Sequence, residues 1–309
     1  MITAITLNAA IDQIYEIPLM TVGGVNRVAE VTRDAGGKGI NVAKVIQALG
    51  APVDVGGFAG GSNGKRIEQC LKQRSIPSEL IQISSESRVC LTVLDEKNET
   101  GTEFLESGPV ISKSEWASML YWLEHKSKRV KWFALSGSLP QGVPVDAYAE
   151  MIHIIHTNGA KAVLDTSGDA LERGIQAKPY AIKPNEQEIK SLLGKNVTCE
   201  KDLLEAGKQF VASGIEHACF SLGGAGAIFV NRTGSYKIAA PQIDVVNSVG
   251  SGDAFVGGLL FGFSEESDLF TTYKRAVACG AVNAMHREIG FIQTELVESI
   301  MSELTVQQI

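Results

Sequence analysis

Hydrophobic positions along the chain form two alternating kinds of pattern. Short runs rich in apolar, β-branched or aromatic residues, such as Ile2–Leu7, Val53–Gly57 and Trp132–Leu135, are typical of buried strands. Longer stretches with helical spacing, such as Ser112–Lys126 and Val145–Asn158, lie between such runs. This alternation predicts an α/β fold, in which helices flank a mostly parallel central sheet.

Four further short strand patterns stand outside this alternation. They lie within about residues 12–33 and 88–106, and each pair flanks a polar or glycine-containing turn. Four such strands can form a small sheet over a cleft, so we expect a β-sheet lid there. The length allows one large α/β domain or two ordinary ones, and we expect residues 1–309 to form a single domain that includes these lid strands.

The composition narrows the classes of protein. The chain has 309 residues, is 44% hydrophobic and carries a net charge of −7 with a pI near 5.4. Its acidity gives no electrostatic support for binding nucleic acid, and no apolar run approaches the roughly 20 residues of a membrane span. The five cysteines lack C-x-x-C spacing, and the N-terminus lacks a basic signal-peptide region. We therefore expect a cytoplasmic protein in which any anionic substrate needs a local group of cations.

The stretch Asn247–Gly258 (NSVGSGDAFVGG) carries the strongest chemical pattern. Its turn, Gly250–Gly252, directly precedes Asp253 and an apolar run typical of a buried helix. Free backbone N–H groups at a helix N-terminus attract anions, and glycines let a ligand approach the main chain closely. A carboxylate at such a site can accept a proton from an attacking hydroxyl, as phosphoryl transfer requires. Asp is also a common helix-capping residue, so this pattern alone leaves both interpretations open.

A second glycine turn, Ala35–Asn41 (AGGKGIN), also opens an apolar helix and suits a phosphate. It lacks the third glycine of a dinucleotide-binding turn and the Ser or Thr that follows the lysine of a P-loop. Asp12 lies just beyond the first predicted strand, where it is either an ordinary turn residue or a residue that faces a ligand crevice.

Several other positions have both a structural and a functional interpretation. Ser138 lies in a loop at the carboxyl end of a predicted strand, where ligand sites collect in α/β folds. Asn185 and Glu188, three residues apart, fit either a helix capping box or a pair of groups near Mg²⁺. The turn Gly223–Gly226 fits a plain hairpin, and Arg88 fits a solvated charge on an edge strand.

Taken together and in this order, the motifs resemble those of the PfkB (ribokinase-like) carbohydrate kinase family. They are TLNAAID followed by GGKGINVA (6–12 and 36–43), KPNEQE (183–188), SLGGAG (221–226) and SVGSGDAFVGG (248–258). The resemblance spans nearly the whole chain. In detail, the motifs are similar to those of the branch containing 1-phosphofructokinase and tagatose-6-phosphate kinase. Asn247 and Ser248 stand where many members have Asp-Thr, Ser251 where Ala is commoner, and Ala9 where Pro is commoner.

The resemblance implies a role for each motif. Asp253 would be the catalytic base, and Gly250, Ser251 and Gly252 would form the anion hole. The residues that would bind the sugar phosphate are Asp12, Arg27, Gly37, Lys38, Asn41, Arg88 and Ser138. The residues that would lie beside the nucleotide are Lys183, Asn185, Ser221, Gly223, Gly226 and Asn283. Asn185 and Glu188 would orient Mg²⁺, largely through water.

The function that this resemblance implies is ATP-dependent phosphorylation of fructose 1-phosphate to fructose 1,6-bisphosphate. Arg27, Lys38 and Arg88 would select an acceptor that already bears a phosphate. Tagatose-6-phosphate kinase, which uses the same mechanism, and a sugar-phosphate sensor that has lost catalysis remain as alternatives. The resemblance implies ATP and Mg²⁺ as cofactors, leaves a requirement for K⁺ open, and predicts a homodimer formed through the lid.

Overall fold

Strands and helices alternate along the chain in a computed structural model, which describes residues 1–194 and 199–309. The strands are β1 (Ile2–Thr6), β2 (Ala10–Ile17), β3 (Glu30–Gly36), β4 (Val53–Gly60), β5 (Ser78–Ile83), β6 (Arg88–Asp95), β7 (Thr100–Leu105), β8 (Trp132–Ser136), β9 (Lys161–Asp165), β10 (Ala181–Ile182), β11 (His217–Ser221), β12 (Ala227–Asn231), β13 (Gly234–Ile238) and β14 (Gln307–Gln308). The helices are α1 (Lys38–Ala48), α2 (Gly61–Gln73), α3 (Lys113–Lys126), α4 (Ala147–Thr157), α5 (Gly168–Gln176), α6 (Glu186–Leu193), α7 (Glu200–Ser213), α8 (Ser251–Ser264), α9 (Leu269–Ala284) and α10 (Thr294–Glu303).

The main sheet has the order β14-β13-β12-β11-β10-β9-β8-β1-β4-β5 within the described residues. The pairs from β11 through β5 are parallel, and β12, β13 and β14 join one edge in antiparallel pairs. One hydrophobic cluster packs on each face of this sheet, with α1, α8, α9 and α10 in one cluster and α3, α4 and α7 in the other. The α/β fold with a mostly parallel central sheet is therefore confirmed.

A separate four-stranded sheet has the order β3-β2-β6-β7. Its central pair, β2 and β6, is parallel, and both outer pairs are antiparallel. The predicted lid strands are confirmed, although the small sheet starts at Ala10 and extends to Gly36, slightly beyond the predicted limits. Side chains of β2, β6 and β7 face the carboxyl ends of the main-sheet strands across a cavity of about 700 Å³.

Helix α8 carries the glycine motif to the edge of this cavity. It is apolar all round and most of its residues are buried, as expected of a helix enclosed by its neighbours. It packs between α1 and α9, and its N-terminus opens on the cavity. The predicted order of glycine turn, carboxylate and buried helix is therefore confirmed.

Four short elements have no counterpart among the predicted ones. They are β5, β13, β14 and α5. The helix α5 contains two glycines in GDALERGIQ, which weaken the helical pattern. Among the described helices, none is long and apolar enough to cross a bilayer.

Candidate active site

The cavity between the lid and the main sheet brings together most of the residues that the sequence singles out. Those that line it are Asp12, Gly37, Lys38, Asn41, Arg88, Ser138, Lys183, Asn185, Ser221, Gly223, Gly226, Gly250, Ser251, Gly252 and Asp253. They come from motifs up to about 240 residues apart in the chain, which meet because parallel strands end at the same edge of the sheet. This edge is therefore the candidate active site.

Three predicted site residues lie outside the cavity lining. Arg27 is exposed in the segment between β2 and β3. Glu188 is in the first turn of α6, three residues after Asn185. Asn283 is fully buried in α9, where its Nδ2 donates to the Val249 carbonyl at 2.9 Å and its Oδ1 accepts from the Gly290 amide at 2.9 Å. Its Nδ2 also lies 3.3 Å from Oγ of Ser251, which lines the cavity, so Asn283 holds the glycine turn from behind. Its place beside the nucleotide stays a prediction.

The glycine turn presents the N-terminus of α8 to the cavity. Gly250 precedes the helix with a φ of 81°, a left-handed conformation that glycine adopts at little cost. The Ala254 amide donates to the Gly250 carbonyl at 2.8 Å and begins the helical ladder. The amides of Gly252 and Asp253 come before it, as unpaired N–H groups do at helix N-termini. Together with the positive end of the helix dipole, they suit a phosphoryl group.

Asp253 is buried at this helix end and is not a capping residue. Gly250 occupies the cap position without a side-chain hydrogen bond, while Asp253 Oδ2 accepts from Asn41 Nδ2 at 2.9 Å. Burial raises the pKa of Asp253 to about 7, against the opposing charge of Lys38. A carboxylate with a pKa near neutrality suits general base catalysis, because it both binds and releases a proton at that pH.

A buried carboxylate holds two of the cavity's lysines. Asp165, at the end of β9, is inaccessible to solvent, and its Oδ1 lies 3.1 Å from Lys183 Nζ. Its Oδ2 lies 3.4 Å from Lys38 Nζ. Burial alone would raise the pKa of Asp165, but Lys183 and Lys38 hold that pKa below its ordinary value. The sequence gives Asp165 no assigned role, although its place at a strand's carboxyl end is a signal for one.

The lid contributes a carboxylate and a cation to the opposite wall. Burial raises the pKa of Asp12, in β2, to about 6, against the charges of Lys44 and Arg88. Arg88, at the start of β6, donates from Nε to the Asn8 carbonyl at 3.2 Å and from Nη1 to the Glu106 carbonyl at 3.0 Å. Arg88 is thus fixed by main-chain acceptors and is not a free edge charge. Its charge remains available to an anion in the cavity.

Asn185 and Glu188 form the capping box that their spacing allows. The Asn185 amide donates to Glu188 Oε2 at 2.8 Å, and the Glu188 amide donates to Asn185 Oδ1 at 2.9 Å. In the described part of the chain, no group of three or more His, Cys, Asp or Glu side chains could hold a metal ion. The role of this pair near Mg²⁺ therefore stays a prediction.

An apolar wall stands beside the glycine turns. Sequence patterns give no indication of it, since its residues come from the segment before α8 and from one face of α9. They are Ala240, Pro241, Ile243, Val245, Val277, Ala281 and Ala284. A wall of this kind, next to groups that attract anions, suits a ligand with an apolar planar part and a phosphate chain.

These features agree with the comparisons with known proteins. The model of the pfkB family of carbohydrate kinases matches residues 5–294, and the chain belongs to that family. It is therefore a sugar kinase, which transfers a phosphoryl group to an alcohol group of its acceptor.

Solved structures of other proteins have the same fold over nearly the whole length of this chain. A candidate phosphofructokinase from Staphylococcus aureus is 31% identical, with a TM-score of 0.84 over 100% of this chain and 99% of that one. Phosphofructokinase-2 of Escherichia coli, in complex with potassium, is 24% identical, with a TM-score of 0.91 over 98% of each chain. A candidate 1-phosphofructokinase from Thermotoga maritima has the same fold, with 23% identity and a TM-score of 0.92 over 100% and 99% of the two chains.

The raised pKa of Asp253 predicts that Asp253→Asn stabilises the fold. In the folded protein the pKa is about 7, above its ordinary value of 3.8, so the ionised carboxylate opposes folding at pH 8. We expect the variant to gain on the order of 2–4 kcal/mol in unfolding free energy at pH 8. The gain should shrink as the pH falls from 7 toward 4. Urea denaturation at pH 8 and 4.5 measures it.

Asp268→Asn is the matched control with the opposite sign. Hydrogen bonds from Thr271, followed by one from the Phe270 amide, hold the pKa of this exposed helix cap below its ordinary value. Its ionised form therefore favours folding, and the substitution should bring no gain at pH 8. If Asp253→Asn and Asp268→Asn change stability alike, burial does not control the charge of Asp253.

Proposed function

We propose that this chain transfers the γ-phosphoryl group of ATP to fructose 1-phosphate and forms fructose 1,6-bisphosphate. The observation that carries the proposal is the position of Asp253. Its buried carboxylate, with a pKa raised to about 7, lies at the N-terminus of α8 and lines the same cavity as Lys38 and Arg88. A base, an anion-binding helix end and cations for a second phosphate are thereby next to one another.

In this proposal Asp253 takes the proton from the acceptor hydroxyl as the oxygen attacks the γ-phosphorus. The bond from that phosphorus to the bridging oxygen of ATP breaks, and ADP leaves. The amides at the start of α8 stabilise the charge on the transferring group. Asn41, which donates to Asp253 Oδ2 at 2.9 Å, keeps the carboxylate in place for the acceptor.

The residues present fit a divalent ion that is held mainly by phosphates and water. Asn185 lines the cavity, and the capping box uses Oε2 of Glu188 for its hydrogen bond. Mg²⁺ commonly keeps several waters and takes one or two carboxylates together with substrate phosphates. When bound, such an ion neutralises phosphate charge. Asn185 and Glu188 would orient it through water.

Two observations favour an acceptor that already carries a phosphate. Lys38 is 39% exposed in its side chain and Arg88 lines the opposite wall, so two cations face the space left for the acceptor. The relatives named above include phosphofructokinases. Tagatose 6-phosphate would use the same residues, because its phosphate and its attacking hydroxyl exchange ends of the ketose. A sensor without catalysis would have no need of a buried base.

The test of this proposal is ADP release with Mg·ATP against four acceptors. These are fructose 1-phosphate, tagatose 6-phosphate, fructose 6-phosphate and free fructose, in a buffer that contains K⁺ because the E. coli relative is a potassium complex. We expect fructose 1-phosphate to give the highest kcat/KM. Asp253→Asn should lower kcat by at least about 100-fold while ATP still binds, since the general base is lost.

Each outcome of this assay has a definite meaning. If the enzyme prefers another ketohexose phosphate, the assigned acceptor is wrong and the mechanism stands. Preference for free fructose removes the assignment of Lys38 and Arg88 to a phosphate. Turnover that is near normal in Asp253→Asn would refute its role as the base.

Arg88→Ala should weaken binding of the sugar phosphate selectively. A hydrogen bond to a charged group contributes about 1.5–3 kcal/mol, so KM for the acceptor should rise by about 10- to 100-fold. KM for ATP should stay within about twofold of the wild type. Arg232→Ala, which removes a surface arginine paired with Glu216 at 3.1 Å, is the control and should change neither KM. Equal increases in both KM values would mean that Arg88 does not contact the acceptor's phosphate.

We also propose that two chains pair through their lids. The outer side of the lid exposes apolar side chains that a monomer would leave in water, with Val22 91% and Val25 88% exposed. The other exposed apolar residues there are Leu19, Val28, Val31 and Phe104. Arg27 lies in the same exposed segment, so any contact of Arg27 with substrate would be in the partner's cavity.

Light scattering should therefore report a dimer, and Phe104→Glu should give monomers. A mixing experiment tests the position of Arg27. Arg27→Ala and Asp253→Asn chains should each be impaired, but a mixed dimer contains one cavity with its own Asp253 and an intact Arg27 from the partner. Subunit exchange should raise activity above that of either parent. A monomeric wild type, or no recovery from two impaired parents that form mixed dimers, would contradict this proposal.

A further inference from the structure

Three of the residues that line the cavity carry a buried polar atom without a hydrogen-bond partner among the described residues. These atoms are Thr6 Oγ1, Asn8 Oδ1 and Ser136 Oγ, on residues that are 1%, 4% and 0% exposed. Thr6 ends β1 and Ser136 ends the neighbouring strand β8, so two of these atoms lie side by side at the floor. A buried polar atom without a partner is unfavourable by about 1–3 kcal/mol, so this part of the cavity is built to receive a polar ligand.

Asn8 is the most informative of the three, because its other contacts fix the orientation of its amide. Nδ2 donates to the Ser107 carbonyl at 3.2 Å and to Ser138 Oγ at 3.1 Å. A carbonyl oxygen can only accept, so the nitrogen must be on that side. The oxygen of the amide is then the atom left without a partner, on a residue that lines the cavity. It can only accept, and its partner must be a donor.

The need for a donor distinguishes the two kinds of polar group on a sugar phosphate, its phosphate oxygens and its hydroxyls. A phosphate oxygen near neutral pH is an acceptor, and it cannot satisfy Asn8 Oδ1. A sugar hydroxyl is a donor. We infer that Asn8 Oδ1 accepts a hydrogen bond from a hydroxyl of the acceptor sugar, and that Asn8 is a specificity-determining residue for hydroxyl-bearing ketose phosphates. The inference rests on the proposed function and specifies which part of the acceptor meets this wall.

The same residue orients two groups that suit the acceptor's phosphate. Ser138 Oγ accepts from Asn8 Nδ2, which leaves its own proton free to donate to an anion. The main-chain carbonyl of Asn8 accepts from Arg88 Nε at 3.2 Å. Asn8 therefore contacts both anion-binding groups, the Ser138 hydroxyl and the Arg88 guanidinium, and its own Oδ1 can accept from a sugar hydroxyl beside them. A ligand that offers a hydroxyl and a phosphate together matches this arrangement.

Gly108 keeps the space around this amide open. Its φ is +95°, and a Cβ at this position would lie 2.1 Å from Asn8 Oδ1. Any other residue at position 108 would displace the Asn8 side chain or strain the backbone. The segment after β7 is therefore shaped around Asn8, although the sequence pattern indicates no chemistry there.

The experiment compares the wild type with Asn8→Ala on single-deoxy analogues of its best acceptor. Alanine removes both polar atoms of the side chain but keeps the carbonyl that Arg88 holds. We expect KM for the intact acceptor to rise by about 10- to 100-fold, with KM for ATP unchanged. For the wild type, removal of one particular hydroxyl from the acceptor should raise KM by about 10- to 100-fold. For Asn8→Ala, the same deoxy analogue should have a KM less than about threefold above that of the intact acceptor. Calorimetric binding of the acceptor without ATP should give the same pattern.

Two control variants separate this role from others. Ser138→Ala removes a hydroxyl that faces the acceptor's phosphate and should raise KM for the acceptor. The further rise in KM for the deoxy analogue should persist in this variant. Asn231→Ala removes a buried asparagine that donates to the Tyr273 hydroxyl at 3.0 Å at the opposite edge of the sheet. It should lower stability and leave both KM values unchanged.

The outcomes distinguish the inference from the proposed function. No activity of the wild type on any ketohexose phosphate would overturn the proposed function. If the wild type is active and every deoxy penalty persists undiminished in Asn8→Ala, Asn8 does not bind a sugar hydroxyl, and a water molecule satisfies its oxygen. A rise in KM for ATP equal to that for the acceptor would likewise refute a role specific to the acceptor.

Discussion

The candidate site depends on the burial of one carboxylate, that of Asp253, at the N-terminus of a helix that is itself buried. Burial raises the pKa of this group to about 7, while Lys38 and the hydrogen bond from Asn41 oppose the rise. The fold maintains this balance through the left-handed Gly250 turn and the apolar enclosure of α8. A more exposed carboxylate would stay ionised and be a weaker base, and one without nearby cations would stay protonated.

The charges around Asp253 explain how an acidic protein can bind anions. The chain carries −7 overall, so its general field repels phosphates. Lys38 and Lys183 share one buried partner, Asp165, and so bring one net positive charge to the cavity. Arg88 adds another from the lid side. The attraction is thereby confined to the cavity, where low polarity makes each charge more effective than at the surface.

Sequence patterns predicted the parts of the site that depend on local geometry. A glycine turn before an apolar helix has few other conformations, so α8 and the anion-binding end could be placed from Asn247–Gly258 alone. Residues whose positions depend on tertiary packing could not be placed from the sequence. Asn283 lies on a helix whose buried face the sequence does not determine, and its side chain bonds to Val249, Gly290 and Ser251 around the glycine turn. The edge strand β5 has mixed burial and no regular alternation, which explains why its pattern is weak.

Arg88 shows why the lid and the main sheet work as one unit. Its two main-chain acceptors belong to different layers, since Asn8 follows β1 of the main sheet and Glu106 follows β7 of the lid. The same hydrogen bonds that hold the lid against the sheet therefore fix the charge that faces the acceptor. A phosphate that engages Arg88 would also draw on Ser138, which Asn8 orients from the sheet side. The position of the lid and the position of this positive charge therefore depend on the same residue, which contacts both layers.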